Sequence, residues 1–505
     1  MKVLQLGNEN WANQYQIPDD IDWEYNDYPQ KDKEKQHGYD VVIITADVQL
    51  ASKEWSDLQW LVDPYKVFFN PSLKNSANKN LRMYLKLQAA AAITQQPQEL
   101  IDSLIPKYYT GQSGLRIPVS NLALDTRNIL TYEYTDGQHM DIQIDSPDKW
   151  INVGTYRQGL YLDPNHLIKL WLEYQSQDVE VRLRAYVQPL GTDGDVNDCY
   201  YIILDGVKEK EIPIKASRAQ RNACIGIEAR GKGILKLGVF HSRWSRAGKG
   251  EFLTGGCRLL DKEKGEDIAY YFNPGDMRPP LNVYFSGARE LEGFEAYPLF
   301  RYNHAPSLLF TDMRLEIGQF YAGSKIEEKI KGVIRQELAV LNFTNHDLIM
   351  NGISMGTYPA MWLGSQLAPY AINVAKPIAN LGFVAARGRL QRPGQFTTIF
   401  DIDSRLTGST DLESLRKLDE KFWKAFDKTN LRDTRLFISY MENDDYDNQA
   451  ITRLKASPAV KNARQFVYKG FPGRHNDSPQ SILWFASRVR YLTHKVFERG
   501  HSFND

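Results

Sequence analysis

A chain of 505 residues is long enough for about three domains of ordinary size. Its 62 Lys and Arg balance 62 Asp and Glu, and that neutrality excludes whole-chain electrostatic binding to nucleic acid or to an anionic membrane. With 42% hydrophobic and 25% charged residues it has enough apolar surface to build cores, which excludes disorder as the dominant state.

At the start of the chain, MKVLQLGNENW carries no apolar h-region, so no signal peptide is read there. Residues 1–115 alternate strand-like runs (Lys2–Leu6, Asp40–Thr45, Lys66–Asn70) with helical ones (Leu81–Ile93, Pro97–Ile105), the pattern of a small α/β domain. KVLQLG is similar to the first strand of a nucleotide-binding fold. Only Gly7 follows it, with no GxGxxG, so a plain structural domain is the better reading.

From 116 to 262 the period changes to two. Val179, Val181, Leu183, Ala185 and Val187 alternate with Glu180, Arg182, Arg184 and Tyr186, a strand with one buried face. Leu170 and Leu172 flank Trp171 in another strand. Tyr200–Leu204 runs into Asp205-Gly206, a hairpin signal, and Arg230-Gly231-Lys232-Gly233 reads as a tight turn between Ile225–Ala229 and Ile234–Phe240. Short strands at this spacing predict a β-sandwich, which with 12% aromatic residues is suited to holding carbohydrate. Its last part places His241, Arg243, Trp244, Arg246 and Lys249 close together. They form either a face for sugar or a partner protein, or a solvated strand edge guarded by charge. The three cysteines, Cys199, Cys224 and Cys257, show no CxxC spacing. Neither a disulfide framework nor a metal site is expected, and a reducing cytoplasmic compartment is the simplest.

From 265 to 505 strands and helices alternate. Leu281–Ser286 is a strand ending in Gly287-Ala288-Arg289. KIEEKIK at 325–331 is a mixed-charge helix face whose Ile326 and Ile330 turn to the core. Tyr358–Ala386 is the most apolar long stretch. Pro359, Pro369, Lys376 and Pro377 make it a core helix and buried strand, not a bilayer span.

The chemistry gathers in this third block. After the apolar run Asp347–Asn351, Gly352-Ile353-Ser354-Met355-Gly356 fits G-x-S-x-G, followed by a helix over Thr357–Leu367 with Pro359 in its first turn. A nucleophilic serine on a sharp strand-to-helix turn needs flanking glycines, because a β-carbon would collide with neighbouring chain. The Met355 N–H would face a developing oxyanion, and the second donor would be the N–H of Gly287 or Ala288. A serine also needs a base and an orienting acid, in the α/β-hydrolase plan in the order Ser, acid, His, each after a strand. The strand Leu436–Met441 runs into an acidic loop, where Asp444 is the first choice of acid and Asp445 the second. The strand Arg464–Lys469 leads to His475, and Ser478-Pro479 then opens a helix to about Glu498. His346 would sit at the wrong end of the nucleophile strand.

The stretches NVYFSGARELEGFE, LIMNGISMGTYPAMWLG, ISYMENDDYD, FPGRHND and GVFHSRWSRAGKGEF resemble the second accessory secretion protein family of the serine-rich-repeat glycoprotein export system. The resemblance covers most of the chain and is strongest over 230–490. It implies a cytoplasmic protein working beside an accessory SecA motor and other accessory secretion proteins, reaching the membrane only through that complex. It also implies a role in adhesin export, with O-acetylation of N-acetylglucosamine on the adhesin. By this resemblance the nucleophile is Ser354, the base His475 and the acid Asp444 or Asp445. No bound cofactor is expected, and acetyl coenzyme A is the default acetyl donor. Two other readings fit the same residues: a carboxylesterase or peptidase using the same triad, and a non-catalytic scaffold of the secretion complex.

Overall fold

The opening alternation of strands and helices resolves, in the computed structural model, into a five-stranded parallel sheet. The structure describes residues 1–26, 38–164, 166–189, 198–205, 210–212, 220–392, 394, 396 and 398–499. Strands Lys2–Leu6, Asp22–Tyr25, Val41–Ile44, Val67–Phe69 and Ala91–Ala92 lie in the order second, first, third, fourth, fifth. Successive residues of a strand point to opposite faces. Val3, Val41 and Ile43 therefore pack on Leu100 and Leu104, while Leu4, Val42 and Ile44 pack with Trp55, Leu58 and Leu81. The helix expected over Leu81–Ile93 stops at Leu87, because Ala89 takes φ 45° and turns the chain into the edge strand.

The middle of the chain forms one nine-stranded antiparallel sheet, not the two separate sheets expected of a sandwich. Three long strands, Met140–Tyr156, Leu167–Pro189 and Arg221–Ser245, run through it. The alternation of Val179 to Val187 is buried as expected. Trp171 lies in the same strand as Val179, not in a separate one. The expected turn at Arg230–Gly233 is also absent, because the chain continues straight through as a bulge. Gly231 sits at φ 135°, where a β-carbon would lie 2.3 Å from the Asp178 carbonyl oxygen. Glycine here admits a close backbone approach inside a strand. Of the expected hairpin at Asp205-Gly206, Gly206 lies outside the described residues.

The third sheet positions the site. Its strands are β1 (Cys257–Asp261), β2 (Glu266–Asn273), β3 (Leu281–Phe285), β4 (Ser307–Asp312), β5 (Leu348–Ile353), β6 (Ala371–Ala375), β7 (Arg435–Met441) and β8 (Gln465–Phe471). β1 falls inside the block assigned to the second region, yet it pairs with β2. The spatial order is β1-β2-β4-β3-β5-β6-β7-β8; β2 is antiparallel to both neighbours and all later pairs are parallel. The carboxyl ends of β3, β5, β6, β7 and β8 thus share one edge. One face of the sheet is covered by helices α1 (Ser324–Leu341) and α2 (Thr357–Leu367). A helical insertion joins β6 to β7: α3 (Leu381–Gln391), α4 (Ile399–Thr407) and α5 (Leu412–Phe426). Val283, Phe285, Met350, Ile372, Val374 and Ile438 form a common core with Ile326, Ile330 and Met361. α6 (Gln480–Arg490) begins two residues after Ser478, whose Oγ accepts the Gln480 N–H at 3.2 Å. It gives way to a π-helical turn over Tyr491–Val496. Among the described residues no helix is long and apolar enough to cross a membrane, and no three His, Cys, Asp or Glu are grouped to hold a metal ion.

Candidate active site

β5 delivers Ser354 to the carboxyl edge of the sheet. Ser354 takes φ 51°, a left-handed conformation costly for a residue with a side chain, and a 3-10 turn through Gly356 leads into α2. The flanking glycines make this turn sterically passable. A β-carbon on Gly352 would lie 2.2 Å from the Gly356 carbonyl oxygen, and one on Gly356 would lie 2.0 Å from that of Phe285. Thr357, the first residue of α2, pins the turn. Its hydroxyl donates to the Ser354 carbonyl at 2.6 Å and accepts the Ile378 N–H at 2.9 Å.

Three loops converge on this serine. Ser354 Oγ is 2.9 Å from His475 Nε2, and His475 Nδ1 is 2.8 Å from Asp444 Oδ2. The other Asp444 oxygen accepts the N–H groups of Tyr446 at 2.8 Å and Asp447 at 3.2 Å. Asp445 does something different: its carboxylate accepts the backbone N–H of His475 at 3.1 Å. Asp444 therefore meets the imidazole, and Asp445 anchors the loop that carries it. His475 and Asp444 are 2% and 5% exposed, so the interaction is shielded from solvent. Burial alone would raise the Asp444 pKa. The His475 hydrogen bond and charge, with the two amides, bring it below the ordinary carboxylate value instead. Two further residues join the site: Tyr446, whose ring lies 4.4 Å from the imidazole centroid, and Arg392, whose guanidinium stacks 3.5 Å over Tyr446 and donates to the Asp445 carbonyl at 2.9 Å. Their roles depend on pairing across a long insertion, which spacing does not reveal. His346 is exposed at the opposite end of β5.

The structure separates the two residues named for the second oxyanion donor. The Gly287 N–H is committed to Glu295 Oε1 at 2.8 Å, and Tyr284 OH donates to the same oxygen at 2.5 Å. Of the two, Gly287 is thus engaged within its own loop. A β-carbon on Gly287 would come within 3.8 Å of Ser354 Cβ, so this loop borders the serine directly.

Comparison with known proteins places the chain in a family. The accessory Sec system GspB-transporter family (accessory secretory protein 2) matches residues 1–499. The accessory Sec system protein of Staphylococcus aureus is 32% identical over 517 residues, covering 99% of this chain and 97% of that one. Its Streptococcus gordonii counterpart is 31% identical over 512 residues, covering 99% of each. The chain belongs to this accessory Sec family. Among solved structures, the glycosylation-associated protein (Gap123) complex of Streptococcus agalactiae contains a chain with a TM-score of 0.86 and 29% identity, aligned over 99% of both.

In this accessory Sec family member the basic motif after residue 240 is, apart from the exposed Lys249, not a surface face. His241 is 0% exposed, and Arg243 and Arg246 are each 1%. His241 Nδ1 meets Glu292 at 2.7 Å and its Nε2 meets Glu173 at 3.2 Å. Arg243 binds Glu292 through Nε at 2.6 Å and Asp267 through Nη1 at 3.1 Å. Arg246 donates to the carbonyls of Tyr109, Gly111 and Phe252. Trp244 is half-buried, stacked on His166 and bonded to Asp163 at 2.8 Å. The charges are tolerated inside because carboxylates from β2, from the loop after β3 and from the neighbouring long strand meet them there. Burial alone would raise the Glu292 pKa, but Arg243 and His241 hold it down at about 2.

Proposed function

We propose that this chain is a serine-dependent acetyltransferase of the accessory Sec system that O-acetylates N-acetylglucosamine on a serine-rich-repeat adhesin and assists its export. The unbroken Ser354–His475–Asp444 chain of hydrogen bonds carries this reading. It sits at the carboxyl edge of a sheet whose strand order and chain order, Ser, Asp, His, suit an α/β-hydrolase fold.

His475 removes the proton from Ser354 Oγ as that oxygen attacks the acetyl carbonyl of the donor. The N–H groups of Met355 and Ala288 hold the oxyanion, each worth about 3 kcal/mol of barrier. Collapse expels the donor's leaving group, which takes its proton from His475. A sugar hydroxyl, deprotonated by His475, then resolves the acetyl-enzyme and regenerates the serine. Asp444 fixes the imidazole tautomer throughout. Acetyl coenzyme A is the donor of this scheme. The protein acts in the cytoplasm beside the accessory SecA motor and other accessory secretion proteins; its accessory Sec family and the Gap123 complex of its structural relative support the last of these.

Mass spectrometry of adhesin glycans from wild-type and Ser354→Ala cells tests this. Acetylated N-acetylglucosamine should disappear in the variant, and normal acetylation there would sink the triad. In the purified protein a fluorophosphonate should label the wild type and not Ser354→Ala.

A further inference from the structure

The loop that carries the proposed second oxyanion donor, residues 286–296, is gripped over 289–294 by residues 112–116 and by His241 and Arg243 of the nine-stranded sheet. Arg116, from the first strand of the nine-stranded sheet, donates to the Arg289 carbonyl. Leu115 and Leu291 form an isolated antiparallel bridge, and the Glu292 N–H donates to the Gly114 carbonyl at 3.0 Å. The Glu292 carboxylate is held by His241 and Arg243. Gln112 makes a two-way clasp on Phe294: its Oε1 accepts the Phe294 N–H at 2.9 Å and its Nε2 donates to the Phe294 carbonyl at 3.0 Å. The third region contributes the Glu295 contacts to Gly287 and Tyr284. Ala288 lies between these anchors, and an oxyanion donor displaced by about 1 Å loses most of its effect.

We infer that Gln112, Arg116 and the buried His241–Arg243 pair are positioning residues for the oxyanion loop, so that the nine-stranded sheet and the segment leading into it set the geometry of acyl transfer at Ser354. The inference rests on the serine acyltransferase reading. It gives the motif after residue 240 a role that its burial otherwise leaves unexplained. None of these residues touches the reacting atoms: Gln112 and Arg116 act through the loop backbone, His241 and Arg243 through the Glu292 carboxylate.

Gln112→Ala in the full-length chain is the test. Gln112 is only half-buried, and the change removes two hydrogen bonds without opening the charged cluster. With p-nitrophenyl acetate, kcat should fall roughly tenfold while KM stays within about twofold, because only the transition state uses the donor. Affinity for a trifluoromethyl ketone, which places an oxyanion in the same hole, should fall by a similar factor. Amide exchange should accelerate over 286–296. Arg243→Lys, which keeps the charge and loses the fork to Glu292, should show the same kcat loss if it folds. Unchanged kcat, ketone affinity and loop exchange in Gln112→Ala would overturn the inference. A loss confined to KM would overturn it too. If the wild type shows neither Ser354-dependent turnover nor fluorophosphonate labelling, the acyltransferase reading fails and this inference falls with it. Labelling with no effect of Gln112→Ala removes the inference alone.

Discussion

Asp444 and Asp445 are adjacent carboxylates with separate tasks. One orients the imidazole through its ring nitrogen; the other holds the same residue through its backbone. Their substitutions should therefore differ by orders of magnitude. Asp444→Asn presents an amide to His475 Nδ1 and favours the tautomer with the proton on Nε2, where the serine needs an acceptor. An equivalent change in a Ser-His-Asp triad costs about 10⁴ in kcat. Asp445→Ala leaves the tautomer intact and loosens one backbone hydrogen bond, for a loss of roughly tenfold. Steady-state hydrolysis of p-nitrophenyl acetate by the two variants measures this directly. Equal losses would mean that the two carboxylates share the orienting role.

At the scale of elements, α4 carries a carboxylate in an unusual setting. Asp403 is fully buried, and neither of its oxygens has a hydrogen-bond partner among the described residues. Burial pushes its pKa up to about 8, and the Asp419 carboxylate on α5 adds to this. Asp419 is itself pushed up to about 7 by burial, although it accepts the N–H groups of Gly382 and Phe383. An Asp in the unfolded chain loses its proton near pH 3.9, so between about pH 4 and 8 the folded state binds more protons than the unfolded one. Stability from this site is fully present below that window and is lost as pH rises through it. Asp403→Asn removes the titration. Its melting temperature relative to wild type should rise from pH 5 to pH 8 by at least about 2 °C, which is what ~1 kcal/mol is worth in a domain of this size. A difference that does not change with pH would show that Asp403 is already ionised in the fold. The sequence made the elements of the third region legible because each is short and bounded by its own signals. β5, the turn at Ser354 and α2 announce themselves through Gly352, Gly356 and Pro359, and the acid and His475 follow in a known order. The second region was harder. The Arg230–Gly233 segment carries the residues of a turn but serves as a bulge in a 25-residue strand, and glycine meets both needs for the same conformational reason. His241 and Arg243 are opaque for another reason: their partners Asp267 and Glu292 lie far along the chain, so charge alone points to a surface.

At the scale of the molecule, the balance of 62 against 62 is partly an internal one. Arg243, from the nine-stranded sheet, is fully buried against Asp267 of β2 and Glu292 of the loop after β3. Arg258 of β1 shares Asp267, and Lys169 pairs with Glu251 close by. Separating the second and third regions would strand several of these charges in apolar surroundings, where an unpaired ion costs several kcal/mol. The two sheets should therefore unfold together. The first region is tied on by Gln59 to the Gly275 carbonyl, Tyr65 to that of Phe272, and Arg301 to Asp63 at 2.6 Å. The buried Arg246 also donates to the Tyr109 and Gly111 carbonyls, so detaching this region would uncover that charge. Arg243→Met removes the shared cation, retains most of the side-chain volume and leaves Asp267 and Glu292 facing each other. The expected cost is about 3–5 kcal/mol, the usual consequence of removing one partner from a buried ion pair. Hydrogen exchange followed by mass spectrometry reads the result region by region. In the wild type, the cores of the strands over 140–245 and over 281–353 should open with the same free energy. In Arg243→Met that common value should drop and the two regions should separate. Distinct opening energies for the two sheets in the wild type would show that apolar contacts, not the buried charges, set how the regions are coupled.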